Sequence, residues 1–264
     1  MSELRHDGVV RAEVDGGVAV VTLNRPDQRN ALNREIQAAI PRVLADLDAA
    51  DDVDAIVLTG ADPAFCAGVD LKELGSGAAG GDSAGLVLPK DQRGPFPPHR
   101  TPIIGAVNGV AITGGLEVAL ACDFLVASER ARFADTHARV GVMPGWGLTV
   151  LLPQAVGIRR AREMSITGNF VDAPTALAWG LVNHVVAHDE LLPFARQLAA
   201  DVTSVPRDGV RRMLQTYDET ADVTLAEGWR IEATVSREWL AGGLDAAEVE
   251  SRRQAIVDRG RTQL

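Results

Sequence analysis

The stretch NGVAITGGLE at residues 108–117 decides the fold of this chain, together with the stretch AFCAGVDL at residues 64–71. In each stretch, glycine follows a short apolar segment and precedes a predicted helix. The first N–H groups of a helix have no partner within the helix, and the helix dipole favours negative charge there. Two such turns directed at one point would form an oxyanion hole, and Glu117 follows the second turn closely. The pairing predicts a site that stabilises an oxygen anion beside a carboxylate.

The segments around these stretches predict alternating strands and helices. Apolar and β-branched runs are typical of strands, and a helical apolar period is typical of an amphipathic helix. The order strand, glycine turn and helix occurs more than once, which predicts an α/β layered core. The predicted strands are 9–14, 18–23, 55–58, 103–107 and 123–127, with a hairpin turn at 15–17, and the predicted helices are 31–47 and 115–121.

The residues after 149 predict a mainly helical region. Its predicted helices are 158–166, 174–179, 191–205, 214–240 and 246–259, with a short strand at 181–186. Residues 75–98 are rich in Gly, Ser and Pro, which predicts a surface loop or a flap over a substrate pocket. We expect a core domain at 1–200 and a helical domain at 201–264.

The composition argues against several classes of function. The chain has 26 basic and 36 acidic residues, and this net charge of −10 argues against nucleic acid or an anionic membrane as the main partner. Residues 1–7 are polar and no apolar run is long enough for a membrane span, so we expect a soluble, cytoplasmic protein. Cys66 and Cys122 do not indicate a disulfide framework. The spacing of His184 and His188 would suit zinc only on a helix, and a strand is predicted there.

The two glycine stretches and five further segments resemble the enoyl-CoA hydratase/isomerase (crotonase) superfamily, from residue 9 to about residue 253. The further segments are LNRP at 23–26, NAL at 30–32, FAD at 133–135, VMPG at 142–145 and WGLV at 179–182. The resemblance implies an α/β spiral of ββα repeats that forms two roughly perpendicular sheets. It also implies a helical C-terminal region for trimerisation, so we expect a homotrimer or a dimer of trimers.

The same resemblance implies where the site lies. The oxyanion donors would be the N–H groups of Val69 and Gly114, and Glu117 matches the family's first catalytic glutamate. The substrate would be a coenzyme A thioester, with no permanently bound cofactor and no metal. The residues that bind coenzyme A and substrate would be Ala64, Ala67, Gly68, Asp70, Leu71 and Gly115.

The chain departs from the family at His137. In two-glutamate hydratases the second catalytic glutamate ends a Phe-x-x-x-Glu segment, and residues 133–137 here read FADTH. Hydration needs one group to take a proton from water and another to give one to the α carbon. A histidine with an ordinary pKa of about 6.5 can do either near neutral pH. Asp135 is an alternative; on an extended segment it would share a face with His137 but lie displaced along the strand.

The leading hypothesis is an enoyl-CoA hydratase that adds water to a 2-trans-enoyl thioester, with Glu117 acting on the water and His137 in the proton relay. Δ3,Δ2 isomerisation, decarboxylation and dehalogenation stay open as other reactions of the superfamily. The alternative of a different class is a catalytically weak acyl-CoA-binding scaffold. In that case Glu117 would be a solvated helix carboxylate and His137 a polar residue of the pocket wall. Trp146 is predicted to restrict the length of the acyl chain.

Overall fold

The computed structural model describes residues 2–75, 93–243 and 246–262. These residues form two compact units, which divide between residues 211 and 212. The loop expected at 75–98 lies mostly outside the described residues, so its role as a flap stays a prediction. The expected domains 1–200 and 201–264 also stay a prediction; residue 200 lies within the helix Leu191–Thr203.

The strands described in the first unit form two sheets. The larger sheet has seven strands in the order β1-β2-β3-β4-β6-β8-β11, and the smaller sheet has four in the order β10-β9-β7-β5. In the larger sheet the first three strands pair antiparallel and all later neighbours pair parallel. The strands are β1 (Glu3–His6), β2 (Val10–Asp15), β3 (Val18–Leu23), β4 (Ala55–Gly60), β5 (Ala64–Cys66), β6 (Ile103–Val107), β7 (Val110–Ile112), β8 (Phe124–Ser128), β9 (Arg132–Ala134), β10 (Val171–Asp172) and β11 (His184–Val186).

The helices of the first unit cover the sheets. They are α1 (Arg34–Asp48), α2 (Leu71–Gly75), α3 (Gly114–Leu120), α4 (His137–Val140), α5 (Leu148–Val156), α6 (Ile158–Thr167), α7 (Ala173–Trp179) and α8 (Leu191–Thr203). The helix α9 (Arg207–Ala221) extends across the division between the units, and α10 (Leu225–Ala241) and α11 (Ala246–Thr262) belong to the second unit. No helix among the described residues is long and apolar enough to cross a membrane.

The parallel strands are apolar on both faces because helices cover both faces of the larger sheet. Successive strand residues point to opposite sides, which separates the core into two clusters. The helix α8 packs on one side through Leu191, Ala195 and Ala199, against Val20, Val57, Ile104 and Val126. The helix α1 belongs to the other cluster through Ile36, Ile40, Val43 and Leu47, together with Val21, Ile56 and Leu58.

A ββα unit recurs three times in the first unit of the chain. The strands β4, β6 and β8 belong to the larger sheet, and each is followed by a strand of the smaller sheet, β5, β7 or β9. A helix then follows each of these strands, namely α2, α3 and α4. The expected ββα repeat is therefore confirmed. It brings the starts of three helices to equivalent positions in successive turns.

The hairpin and most predicted elements are confirmed, with three corrections. Gly16 and Gly17 have φ of +57° and +82°, as a two-residue turn between twisted strands requires. The helix predicted at 31–47 begins later, at Arg34, because the Asn33 side chain accepts from the N–H of Ile36 and caps it. The strand predicted at 181–186 is limited to His184–Val186.

The third correction concerns the helix predicted at 214–240. The chain forms two helices there, since α9 ends at Ala221 and α10 begins at Leu225. The side chain of Thr224 accepts from the N–H of Glu227, which starts a new helix. The continuous apolar pattern of the sequence conceals this cap.

The second unit consists of helices whose described side chains are all at least partly exposed. Its large apolar residues are among the most exposed of the described chain: Leu225 is 81% exposed and Trp229 is 66% exposed. Tyr217, Trp239 and Leu240 are also exposed. Apolar surface of this extent is typical of regions that bury it against a partner.

Candidate active site

The candidate site lies where the strands of the smaller sheet end. The strands β5, β7 and β9 are parallel neighbours, so their carboxyl ends lie at the same edge of the sheet. The chain leaves these ends through Gly68, Thr113 and Asp135 and enters α2, α3 and α4. The three turns of the ββα repeat therefore bring together residues that are far apart in the sequence.

The two glycine turns are close neighbours. Gly68 has φ of +86°, a conformation that favours glycine, and a Cβ there would lie 2.6 Å from the carbonyl oxygen of Ile112 and 3.5 Å from the nitrogen of Gly114. A Cβ on Gly114 would lie 3.9 Å from the Cα of Gly68. Glycine at position 68 therefore lets the first turn approach the start of α3 closely.

The backbone N–H groups of Val69 and Gly114 are free at this point. Leu32 donates to the Gly68 carbonyl over 2.8 Å and accepts from the N–H of Asp70 over 3.1 Å. Val69 lies between these two bonds, and in parallel pairing such a residue directs its own N–H to the opposite side. Gly114 is the first residue of α3, so its N–H has no acceptor within the helix. Among the described residues neither N–H has a hydrogen-bond acceptor.

Thr113 holds the start of α3 in an uncommon conformation. Its φ of +55° and ψ of −116° are strained for a residue with a branched side chain. Its N–H donates to the Ala134 carbonyl over 2.9 Å, and its hydroxyl lies 2.5 Å from the hydroxyl of Thr136. These bonds tie the turn before α3, which carries Gly114, to the turn that precedes His137.

Glu117 is buried, with only 3% of its surface exposed. Its Oε1 accepts from the backbone N–H of Trp146 over 2.7 Å and of Leu148 over 3.3 Å. Both donors lie near the start of α5 and hold the carboxylate in a fixed orientation. The Glu117 carboxylate is therefore buried and hydrogen-bonded, and the alternative of a solvated helix carboxylate is wrong.

His137 lies between two carboxylates. Its Nε2 lies 3.4 Å from Oε2 of Glu117, and its Nδ1 lies 2.6 Å from Oδ1 of Asp135. The expectation that Asp135 lies displaced along an extended strand is wrong. The strand β9 ends at Ala134 and a short helix begins at His137, so the turn folds the Asp135 carboxylate back onto the imidazole.

The two carboxylates determine the charge of His137. Burial alone lowers the pKa of the imidazole, but hydrogen bonds to Asp135 and Glu117 and the charges of both carboxylates raise it to about 9. Burial alone would raise the pKa of the Asp135 carboxyl, but the hydrogen bonds and charge of His137, together with the nearby Ser165, hold it below its ordinary value. His137 is therefore an imidazolium near neutral pH.

The residues expected to bind coenzyme A line the first glycine turn and its surroundings. The Ala64 carbonyl accepts from Nδ2 of Asn30 over 2.7 Å, and the Ala67 N–H donates to the carbonyl of Arg29 over 3.0 Å. Leu71, the first residue of α2, is 58% exposed. The turn is thus held by the Asn30 side chain and by neighbouring backbone, and it leaves the apolar Leu71 side chain on the surface.

Asp70 and Gly115 have further contacts within the protein. Oδ2 of Asp70 lies 3.1 Å from Nη2 of Arg25, and Oδ1 accepts from the N–H of Lys72 over 3.1 Å. Gly115 packs closely against Cys66: a Cβ at position 115 would lie 2.1 Å from the Cys66 carbonyl oxygen.

Among the described residues, no group of three or more His, Cys, Asp and Glu side chains could hold a metal ion.

Comparison with known proteins places this arrangement in a family. A profile for enoyl-CoA hydratase/isomerase matches residues 13–246. The chain belongs to the enoyl-CoA hydratase/isomerase family. The chain is 36% identical over 245 residues to a probable peroxisomal enoyl-CoA hydratase 1 of Arabidopsis thaliana, covering 93% of this chain and 91% of that protein. It is 37% identical over 221 residues to a probable enoyl-CoA hydratase of Mycobacterium leprae, covering 81% and 84%.

Solved structures of the enoyl-CoA hydratase/isomerase family have the same fold. A crystal structure of an enoyl-CoA hydratase from Mycobacterium tuberculosis H37Rv matches with a TM-score of 0.74 and 46% identity, covering 87% of this chain and 98% of that chain. The expected α/β crotonase fold is therefore confirmed.

Sequence reasoning missed the groups that hold Glu117 and Asp135. The N–H donors of Trp146 and Leu148 are backbone groups, which no residue type in the sequence reveals. Ser165 on α6 lies near the Asp135 carboxylate and lowers its pKa. The segment VMPG at 142–145 was the available signal, since it marks the turn that leads to Trp146.

Proposed function

We propose that this protein is an enoyl-CoA hydratase, which adds water across the double bond of a 2-trans-enoyl-CoA thioester. The observation that carries the proposal is the contact of Glu117 with His137 beside the free N–H groups of Val69 and Gly114. The N–H pair supplies an oxyanion hole, and Glu117 and His137 supply a base and an acid. Family membership supports the same reaction.

The oxyanion hole activates the substrate in this proposal. The thioester carbonyl oxygen accepts from the N–H groups of Val69 and Gly114 and becomes an enolate oxygen when water attacks the β carbon. Fixed donors in a site without bulk water stabilise that charge, and losing one such donor costs about 3 kcal/mol. The thioester itself activates the carbon chain, so the reaction needs neither a metal nor a nicotinamide.

Glu117 and His137 divide the proton transfers. Glu117 takes a proton from water while the water oxygen bonds to the β carbon. The Nε2–H of His137 then gives its proton to the α carbon, and the electron pair of the former double bond forms the new C–H bond. The proton on Glu117 returns to Nε2 over the 3.4 Å contact, which restores the site. Acid–base catalysis of this kind contributes about 10²–10⁴ in rate.

The first glycine turn binds the coenzyme in this proposal. Ala64, Ala67, Gly68, Asp70, Leu71 and Gly115 form or support the wall against which the coenzyme A part of the substrate lies. The backbone of the turn makes the contacts, since the Asp70 side chain is held by Arg25 and α2. A cytoplasmic location, which bacterial relatives favour, stays a proposal.

The second unit supports the proposal of a homotrimer or a dimer of trimers. The described residues of this unit expose several large apolar side chains, with Leu225 at 81% and Trp229 at 66%. A self-associating helical surface would remove them from water. Sedimentation equilibrium measures the mass directly, and a monomer at micromolar concentration would contradict this assembly.

The test of the proposed reaction is the loss of the ultraviolet absorbance of crotonyl-CoA and of a medium-chain enoyl-CoA. Glu117→Gln keeps the shape of the side chain but removes the base, so we expect turnover to be lost while acyl-CoA affinity stays nearly unchanged. His137→Ala should lower turnover by about 10²-fold or more. Glu129→Gln, at an exposed carboxylate outside the site, is the matched control and should have wild-type activity.

Absence of hydration in the wild type, combined with tight acyl-CoA binding, would contradict the proposal. The oxyanion hole would then serve isomerisation, decarboxylation or dehalogenation, or the protein would be an acyl-CoA-binding scaffold. Isomerisation of a 3-enoyl-CoA would be the next assay, because a single carboxylate can move a proton between the α and γ carbons.

A further inference from the structure

We propose that Asp135 is a positioning residue for His137, which holds the imidazole with Nε2 toward Glu117 and keeps the ring charged. The group that donates the proton is then an imidazolium supported by a carboxylate. In the two-glutamate hydratases, a second glutamate stands at this position. This inference rests on the proposed hydratase function for its catalytic consequence, but its structural part can be tested separately.

The geometry fixes the ring from one side. Oδ1 of Asp135 accepts from the backbone N–H of His137 over 3.1 Å and faces Nδ1 of the same residue over 2.6 Å. Two bonds to one residue restrain both its backbone and the rotation of its ring. Both side chains are almost completely buried, with 5% of His137 and 3% of Asp135 exposed. Water therefore does not compete for Nδ1.

The hydrogen bond between Nδ1 of His137 and Asp135 determines which ring nitrogen exchanges protons. An ionised carboxylate only accepts hydrogen bonds, so Nδ1 must carry its proton to bond with Asp135. Nε2 is the nitrogen that remains for proton transfer, and it faces Oε2 of Glu117 over 3.4 Å. When Nε2 gives its proton to the α carbon, the ring becomes neutral, and Nδ1 keeps its proton and its hydrogen bond to Asp135. The proton that Glu117 took from water then moves to Nε2 and restores the cation.

The charged groups around the ring come from two elements. Glu117 faces it from α3, and Asp135 faces it from the turn after β9. The helix α6, which packs against α4, contributes the uncharged Ser165, which lies near Asp135 and lowers the pKa of its carboxyl. Within the described residues these two carboxylates are the charges that act on His137. Removing the charge of Asp135 should therefore lower the pH at which the ring loses its proton.

The experiment compares wild type, Asp135→Asn and Ser165→Ala. The pH profile of kcat for crotonyl-CoA should fall on the alkaline side near pH 9 in wild type, and this fall should move about one to three pH units lower in Asp135→Asn. Ser165→Ala keeps the charge of Asp135, so it should move this fall far less than Asp135→Asn. KM should change less than twofold, because Asp135 does not contact the thioester. Asp189→Asn, an exposed control, should keep the wild-type profile.

A second measurement separates this inference from the proposed function. Titration of His137 by NMR of the ring nitrogens, in the intact protein and its variants, needs no turnover. A lower titration midpoint in Asp135→Asn supports the positioning role even if wild type hydrates no enoyl-CoA. An unchanged midpoint in a folded Asp135→Asn, or an alkaline limb that does not move, overturns it. If Asp135→Asn does not fold, an unchanged midpoint in a folded Asp135→Ser overturns it.

Discussion

Gly115 lies directly against the backbone carbonyl of Cys66. A Cβ at position 115 would be 2.1 Å from the carbonyl oxygen and 2.8 Å from the carbonyl carbon. Cys66 is the last residue of β5, which leads to Gly68 and Val69, and Gly115 is the second residue of α3. The spacing of the two free N–H groups therefore depends on the absence of a side chain at residue 115.

We expect Gly115→Ala to destabilise the protein and to lower activity. The added methyl group must push α3 away from β5, because backbone atoms cannot rotate aside, and such overpacking costs about 3 kcal/mol. Urea unfolding and crotonyl-CoA turnover measure the two effects. Gly209→Ala is the control, since nothing lies within 4 Å of its Cβ position in α9. Equal stability of the two variants would contradict the close contact.

The stability of the protein should fall as pH rises from about 6.5 to about 9. His137 binds its proton more tightly when folded, with a pKa of about 9 against the ordinary 6.5. Its contribution is therefore complete below pH 6.5 and lost as pH rises through 9, a change of about 3 kcal/mol. Urea unfolding at several pH values measures it, and His137→Gln should remove most of this dependence.

The pH range of that experiment should end at 9. Burial raises the pKa of the Cys66 thiol to about 12 and raises that of Cys122 well above its ordinary value. The thiols that unfolding exposes ionise at about pH 8.5, so they also lower the stability as pH rises past 9. Below pH 9 the histidine dominates the dependence. The same slope in wild type and His137→Gln would contradict the raised pKa.

The ion pair of Asp70 with Arg25 should contribute more to the stability of the protein than the neighbouring ion pair of Glu73 with Arg34. The first pair has side chains 13% and 15% exposed, and the second has side chains 30% and 49% exposed. Asp70→Ala should cost about 1–3 kcal/mol, since it leaves Arg25 poorly paired and removes the N-terminal cap of α2. Glu73→Ala, the matched control, should cost less than about 1 kcal/mol.

Crotonyl-CoA kinetics of the same variants would test the catalytic consequence. Asp70 adjoins Val69, so its loss should lower kcat/KM through a less ordered N–H donor. Equal effects of Asp70→Ala and Glu73→Ala on stability and kinetics would show that burial does not distinguish the two pairs.

Much of the fold could be predicted because its signals are local. Alternating apolar residues identified β2 and β3, and the Gly16–Gly17 turn joined them. The helix predicted at 214–240 was wrong because the Thr224 cap interrupts an otherwise continuous pattern. The predicted site residues Val69, Gly114, Glu117 and His137 meet at one edge of the smaller sheet, although their catalytic roles stay proposals.

The sequence by itself determined most strands of the larger sheet, the two glycine turns and the replacement of a glutamate by His137, since each depends on residue type and short spacing. Only the tertiary structure decided the state of that histidine. Its charge depends on Glu117, which belongs to another turn of the ββα repeat, and on a fold-back of Asp135 that the sequence pattern predicted as extended. The N–H groups of Trp146 and Leu148 that hold Glu117 are likewise backbone donors brought near by packing. Electrostatic effects depend on distance in space, and here distance in space is set by how β5, β7 and β9 pair.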